Sequence, residues 1–460
     1  MSLSSPRPAA APGIESQMSH GGGGAYKCHY PVDPRLSNLN VNVQQMENLI
    51  LCHPRASSSQ DPNQAIIVKC EVPQTIPNDH VLLEVDRFGF STNNMTYQAL
   101  GEASHFRYFE FHHPPDAEGV SSTTHGVTPV WGFGTIIKST HLKVHTGERV
   151  YGYFAPARYL LLPVTSDANK YAFFVPRPHL PPDRRPYNQI TRCAEDPLYD
   201  PSPTAEDLTM LYRPLFWTSF WCEDWLNSSN YKGGSTHILI SSASSKTAFC
   251  LAYLIRRRNS LQGSSTRRVI GLTSTKNIAF TKRLALYDDA FDYESFDTSL
   301  VGDLARGHWI YVDVTGNDGL NARVRDHFRA CGDSELVTCI ALGLTNVSAS
   351  TTEPSSAASW GSDSEAPQGG DPKLEHFFMP EWLSIRKQQL SVSAITQMQK
   401  EAWTRLMSDC GTWGVSLRRV CGPDQVKAAY EEIVKRGLAP EEAFVWSLWE
   451  TRVYGSTAKL

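Results

Sequence analysis

His237-Ile-Leu-Ile-Ser-Ser-Ala-Ser-Ser-Lys-Thr-Ala248 opens the stretch that decides the fold. It runs on as a helix through Arg258, then Arg268-Val-Ile-Gly-Leu-Thr-Ser274, then a second helix ending near Tyr287-Asp-Asp-Ala-Phe-Asp-Tyr293. The order is strand, small-residue turn, helix, strand, polar cap, helix, strand, which is that of a βαβ nucleotide-binding unit. In such a unit a phosphate rests on the N-terminus of the first helix, held by bare backbone N–H groups and the helix dipole. The five residues from Ser241 to Ser245 are all small, so the backbone stays approachable. Ser242, Ser245 and Ala248 stand where the dinucleotide fingerprint has glycines. Ser and Ala resist a positive φ, so the turn is expected to use ordinary backbone angles.

Outward from this unit, the chain of 460 residues is long enough for two or three domains. Residues 1–24, rich in Ser, Pro, Ala and Gly, read as a disordered tail. Residues 25–205 carry short alternating strands, such as Ala65–Val72, His80–Phe88, Gly132–Lys138 and Arg149–Tyr153, punctuated by Gly and Pro. They predict a β-rich, barrel-like domain. Residues 206–345 alternate helix and strand, beginning with an aromatic helix over Ala205–Leu226. Residues 346–372 read as a disordered loop. Residues 373–460 are expected to return to the β-rich domain, with Ala443–Leu448 as its closing strand.

Composition narrows the function classes. Net charge is −4, and the one basic block, Arg256-Arg-Arg258, suits a helix end, so nucleic-acid binding is not indicated. The ten cysteines are scattered, without a CxxC pair or zinc-ligand spacing, as fits free thiols in a reducing compartment. No stretch approaches the length of a membrane span. A cytoplasmic protein is expected. The low-complexity tail and insertion have a eukaryotic character, compatible with specialised metabolism.

The chain resembles the medium-chain dehydrogenase/reductase superfamily, in its zinc-free, quinone-reductase-like form. Gly147-Glu-Arg-Val-Tyr-Gly152 is similar to the "GDRVxG" strand of GroES-like domains. Ile240–Ala248 is similar to "GASGGVG", Ala285–Tyr293 to "LGAD-x-v-i-x-Y", and Tyr311-Val-Asp-Val-Thr-Gly316 to "vvlDxvG". The similarity covers nearly all of residues 60–450 and marks a divergent branch of unknown function. It implies an α/β fold with a GroES-like β-rich domain and a Rossmann domain. Zinc-dependent members carry Gly-His-Glu where this chain has Val130-Trp-Gly-Phe-Gly134, which offers no ligand. No metal is expected.

The resemblance implies a cofactor site at Ser242, Ala243, Ser244, Ser245, Lys246 and Thr247, at Thr273, Ser274 and Lys276, and at Tyr293. No acid follows the second strand before Asp288. The hydroxyls with Lys276, and Arg267-Arg268 nearby, suit a 2′-phosphate, so NADPH is favoured over NADH. Lys246 is a cation in the first helical turn, where the dipole disfavours it unless an anion arrives. Its expected role is to contact the cofactor diphosphate. Polar side chains after the strand 80–90 face the cleft in this family. Tyr97 is the expected proton donor, with Asn94 beside it. The implied reaction is reduction of an enone, enoyl or carbonyl small molecule, with aromatics such as Phe106, Tyr108 and Trp131 suggesting an apolar substrate. A homodimer stays open. Two other readings also stay open: a reductase-shaped scaffold without turnover, and a degenerate P-loop in which Lys246, Thr247 and Asp313 serve phosphate and metal.

Overall fold

The computed structural model describes residues 46–104, 106–262, 267–343 and 372–450. The expected tail over 1–24 lies outside these residues, as does all of the loop 346–372 except its last residue.

Strands β10 (His237–Ile240), β11 (Arg268–Thr273), β12 (Asp289–Asp292), β13 (Gly307–Asp313), β14 (Ser334–Ala341) and β15 (Lys373–His376) form one parallel sheet. Its order is β12-β11-β10-β13-β14-β15. Numbered from β10, that is 3-2-1-4-5-6, the doubly wound Rossmann order. The strands read as continuous apolar runs because both faces are covered, and Ile238, Leu239, Ile240, Ile310, Tyr311 and Val312 are fully buried. Helices α3 (Lys246–Gln262), α4 (Ile278–Arg283), α5 (Phe296–Ser299) and α6 (Asp318–Ala330) supply the crossovers.

The other strands are antiparallel or mixed. A three-stranded sheet runs β2 (Ile66–Glu71), β1 (Glu47–Pro54), β4 (His125–Gly126). An eight-stranded sheet is ordered β16 (Ser416–Cys421), β17 (Glu442–Ser447), β3 (His80–Phe90), β5 (Val130–Ser139), β6 (Arg149–Phe154), β9 (Gln189–Arg192), β8 (Ala172–Phe174), with β7 (Tyr159–Pro163) also on β3. The chain thus pairs a GroES-like β-rich part with a Rossmann sheet. β17 lies antiparallel to β3, with Val445 opposite Gly89, so the C-terminal strand belongs with the N-terminal ones and not with the parallel sheet.

The return of residues 373–460 to the β-rich part is not uniform. Lys373–His376 extends the parallel sheet beside β14. Helices α7 (Met379–Gln389) and α8 (Val392–Asp409) then cover α2 (Pro203–Ser228), where Trp217 meets Trp403 at 5.9 Å between ring centroids. Phe216 and Trp217 of α2 pack against Trp403 of α8, so these helices cover part of its aromatic face. The Arg256–Arg258 triplet is not a helix end either, since α3 runs to Gln262. Arg258 forms a bidentate pair with buried Glu223, at 2.8 and 2.7 Å.

α2 is tied to the β-rich part by a buried cluster of three carboxylates and three guanidiniums. Arg87 of β3 donates to Asp86, Glu206 and Asp207 at 2.7, 2.7 and 2.9 Å. Arg149 of β6 reaches Asp86 and Glu206 at 2.9 and 2.6 Å. Arg419 of β16 donates to Asp207 at 2.7 Å. Asp207 is fully buried, and burial raises its pKa against the opposing pull of Arg87 and Arg419. The cluster joins β3, β6, α2 and β16, so it fixes where α2 leaves the β-rich part and delivers the chain to β10.

Just before β10 the backbone makes a left-handed turn, with Asn230, Tyr231 and Lys232 at φ of 47°, 50° and 56°. Such angles cost about 1–2 kcal/mol per non-glycine residue. Anchors on three sides hold them. The Tyr231 hydroxyl donates to Glu223 at 2.6 Å, Arg267 stacks on the Tyr231 ring at 3.9 Å, and Lys232 lies 3.6 Å from the Trp225 ring centre. Among the described residues no helix is long and apolar enough to cross a membrane.

Candidate functional site

β10 has β11 on one side and β13 on the other, and the strand order reverses between β10 and β13. The crevice beyond the carboxyl ends of β10 and β13 is therefore the topological switch point, where open α/β sheets bind ligands. The turn 241–245 sits there.

Two hydroxyl-centred knots shape it. Ser241 Oγ donates to Asp313 Oδ1 at 2.8 Å and accepts from the N–H groups of Val314 and Thr315 at 2.9 and 3.0 Å. Asp313 also accepts from Gly316 N–H at 3.0 Å and from Asn321 Nδ2 at 2.7 Å. Burial raises the Asp313 pKa while these bonds hold it down. Its carboxylate is a clip between two turns, engaged on both oxygens. The second knot is Tyr293, whose hydroxyl accepts from Ser242 N–H at 3.1 Å and lies 3.3 Å from Thr315 Oγ1.

Ser242 overturns the expectation of ordinary backbone angles, because its φ is +52°. The first glycine place of the fingerprint keeps its left-handed conformation although it holds serine. Its neighbours impose the angle. Ala243 N–H donates to Leu272 O at 2.8 Å, Ser245 N–H donates to Ser242 O at 2.7 Å, and Tyr287 Oη donates to Ala243 O at 2.8 Å. The close approach usually assigned to a turn glycine has moved to β11. A Cβ on Gly271 would stand 2.8 Å from Ala243 Cβ.

Ser244 Oγ accepts from Thr273 Oγ1 and Asn277 Nδ2, each at 3.1 Å. Ser245 caps α3 through Ala248 N–H at 3.4 Å, and Thr247 O accepts from Ser219 Oγ at 2.7 Å. The N–H groups of Lys246 and Thr247, first in the helix, have no intrahelical acceptor. Ser274 Oγ is buried without a hydrogen-bond partner at the end of β11, and Lys276 is exposed beyond it. Arg267 and Arg268 do not join them. They lie at the opposite end of β11, where Arg268 pairs with Asp289 at 2.6 Å, because a six-residue strand separates its two ends by about 20 Å.

Lys246 is 6% exposed, and its Nζ donates to Glu442 O at the start of β17 at 3.4 Å. Burial pulls its pKa down to about 8, against the smaller opposing pull of Cys250 and Glu441. Among the described residues no carboxylate is within ion-pair distance of it. The expected P-loop geometry is not met, since Asp313 is fully engaged and Lys246 points to β17. Among the described residues no group of three or more His, Cys, Asp or Glu side chains could hold a metal ion.

The two expected catalytic residues lie on α1 (Thr92–Ala99). Asn94 completes a capping box. Its Oδ1 accepts from Ser91 N–H at 2.9 Å and its Nδ2 donates to Pro129 O at 3.2 Å, so its amide is a structural clasp. Tyr97 is 5% exposed, among Tyr108, Phe111, Tyr153 and Trp131. Trp131 Nε1 donates to its hydroxyl at 3.4 Å, and burial raises its pKa, which keeps the phenol protonated. Trp131 also packs against the core around α2 and α3, so it bridges the Tyr97 cluster and the parallel-sheet part. Sequence reasoning missed Tyr287, Gly271 and the Asp313 clip. Their signal was present, in an aspartate closing an apolar strand and a lone glycine within a strand.

The fold and site define an α/β protein with a Rossmann switch point built from serine instead of glycine. The model for a family described as "Protein of unknown function (DUF2855)" matches residues 88–439, and the chain belongs to that family. No curated protein matches it. Among solved structures it is similar to the YhdH oxidoreductase of Salmonella enterica in complex with NADP, with 12% identity and a TM-score of 0.47 over 87% of this chain and 99% of that one. It is similar to CurA of Vibrio vulnificus in complex with NADPH, with 11% identity and a TM-score of 0.49 over 88% and 100%. S. aureus TarJ in complex with NADPH gives 10% identity and 0.45 over 88% and 100%.

Proposed function

We propose that the chain is an NADPH-dependent, zinc-independent oxidoreductase, a divergent branch of the medium-chain dehydrogenase/reductase superfamily, that reduces an enone, enoyl or carbonyl small molecule. The observation that carries this reading is the switch point, where the 3-2-1-4-5-6 sheet sets a left-handed Ser242 and the N-terminus of α3 at the end of β10. The residues fit a dinucleotide in part. The unpartnered Ser274 hydroxyl and exposed Lys276 after β11 suit a 2′-phosphate, and Lys246 suits the diphosphate. Bound there, the nicotinamide cofactor supplies hydride. Tyr97 would orient the carbonyl oxygen as a hydrogen-bond donor, since burial raises its pKa and keeps the phenol neutral, and it would hold the proton that the oxygen takes after hydride arrives. Zinc independence is supported by the donor-free stretch Val130–Gly134.

A reductase-shaped scaffold without turnover is the rival reading. It draws on one fact, that Tyr293 already occupies the Ser242 N–H. Titration of the full chain with NADPH and NADH, followed by nicotinamide fluorescence, separates the two. Micromolar binding with preference for NADPH supports the oxidoreductase. No binding of either at high micromolar concentration sinks it and leaves the scaffold. Oxidation of NADPH with a panel of enones and aldehydes then identifies the substrate class.

A further inference from the structure

We infer that Lys246 is an oxyanion ligand of the switch-point turn, parked on the β17 carbonyl of Glu442, and that a diphosphate ester draws its ammonium off β17. The inference rests on the function proposed above and deepens it, because it names the group that replaces the missing glycines and the strand to which occupancy is coupled.

Three independent observations carry it. First, Lys246 is 6% exposed, and among the described residues its hydrogen-bond partner is a neutral carbonyl at the long distance of 3.4 Å, with no carboxylate in ion-pair range. An ammonium has three donors and is costly to bury without a counter-charge. Second, it sits at the first position of α3, where the helix dipole repels a cation. An anion at the turn would satisfy both the charge and the dipole. Third, a buried hydroxyl without a partner, Ser274 Oγ, lies just beyond the neighbouring strand β11. The acceptor of Lys246 is equally informative. Glu442 opens β17, which pairs with β3, so the Nζ spans from the helix after β10 to the sheet whose strand β3 leads into α1, the helix of Tyr97. Moving it toward the turn releases that link, which makes ligand occupancy and the Lys246–Glu442 bond dependent on each other.

The test uses the full chain, its Lys246→Met and Lys246→Arg variants, and two probes, NADPH and inorganic pyrophosphate, read by calorimetry. Methionine keeps the aliphatic stem and removes the charge. Its Kd for NADPH is expected to rise about 10- to 150-fold, the span of a hydrogen bond to a charged group. Arginine is expected to recover part of the loss. The melting temperature of the methionine variant is expected to equal or exceed that of the wild type, because a buried charge is gone. Unchanged affinity in a folded methionine variant overturns the inference, and so does tighter binding, which would show Lys246 to be an occluding plug. Should the methionine variant fail to fold, Lys246→Gln replaces it under the same criteria. If the wild type binds pyrophosphate but neither dinucleotide, and methionine abolishes that binding, the cofactor reading fails while the role of Lys246 stands. If the wild type binds none of the probes, both fall.

Discussion

Replacing Arg87 by methionine tests the electrostatic cluster that delivers α2 to the parallel sheet. The guanidinium makes three charge-assisted hydrogen bonds, to Asp86, Glu206 and Asp207, at 2.7, 2.7 and 2.9 Å. Each such bond contributes about 1.5–3 kcal/mol. Their simple sum overstates the loss, because Arg149 and Arg419 remain and because methionine packs in place of the stem. Removing one partner of a buried ionic group costs about 3–5 kcal/mol, and that is the expected destabilisation near pH 7.5. The sign with pH follows from Asp207. Its folded pKa is already raised by burial. An acid with a raised folded pKa is most unfavourable when ionised, and protonation relieves it as pH falls. Loss of Arg87 raises it further, so the deficit of the variant relative to wild type narrows as pH is lowered. Urea unfolding of both proteins at about pH 7.5 and 5.5, followed by far-ultraviolet circular dichroism, measures this directly. A deficit below about 1 kcal/mol, the level of an exposed ion pair, refutes the reasoning. A deficit equal at the two pH values does so as well.

Acid should weaken the fold through two buried histidines. Burial pulls His53 to about 4 and His112 to about 3, so both stay neutral in the folded chain while the unfolded chain takes up protons below pH 6.5. Stability is complete above that value and falls as pH drops, by about 2 kcal/mol per histidine at pH 5. A double variant, His53→Gln with His112→Gln, should flatten this dependence, and an unchanged slope would count against the assignment. Gly271→Ala should cost about 1–3 kcal/mol by overpacking, since the new methyl would meet Ala243 Cβ at 2.8 Å. A melting temperature equal to wild type would show that the turn can yield. Tyr97→Phe should leave NADPH affinity intact and slow NADPH oxidation by about 100-fold or more, the usual scale of proton transfer by a placed side chain. Equal turnover would remove Tyr97 from the chemistry.

Local rules were enough to place the βαβ unit. Apolar runs such as Ile238-Leu-Ile240 and Val269–Leu272 declare strands buried on both faces, and the small residues between Ile240 and Lys246 declare the turn. The strand over 442–447 was legible for the same reason, because Ala443-Phe-Val-Trp446 is an apolar run bounded by polar residues. Chain pattern also predicted that Lys246 was out of place, since the helix dipole acts within one turn and needs no knowledge of the fold.

Tertiary structure decided the rest. Asn94 reads from sequence as a polar side chain in a cleft, yet it is a capping residue, because Ser91 and Pro129 O compete for its amide and only the folded chain brings Pro129 there. The Ser242 conformation is set by Leu272, Tyr287 and Tyr293, all more than 25 residues away in sequence, and no local propensity reports such partners. Lys373–His376 is a four-residue strand with no distinctive pattern, and it joins the parallel sheet only because β14 offers an open edge beside it. The pairing of Lys246 with Glu442 links positions 196 residues apart. Sequence determines which residues are out of keeping with their local element; only the packed chain determines what each of them meets, because burial and charge compensation depend on neighbours that the chain brings together from a distance.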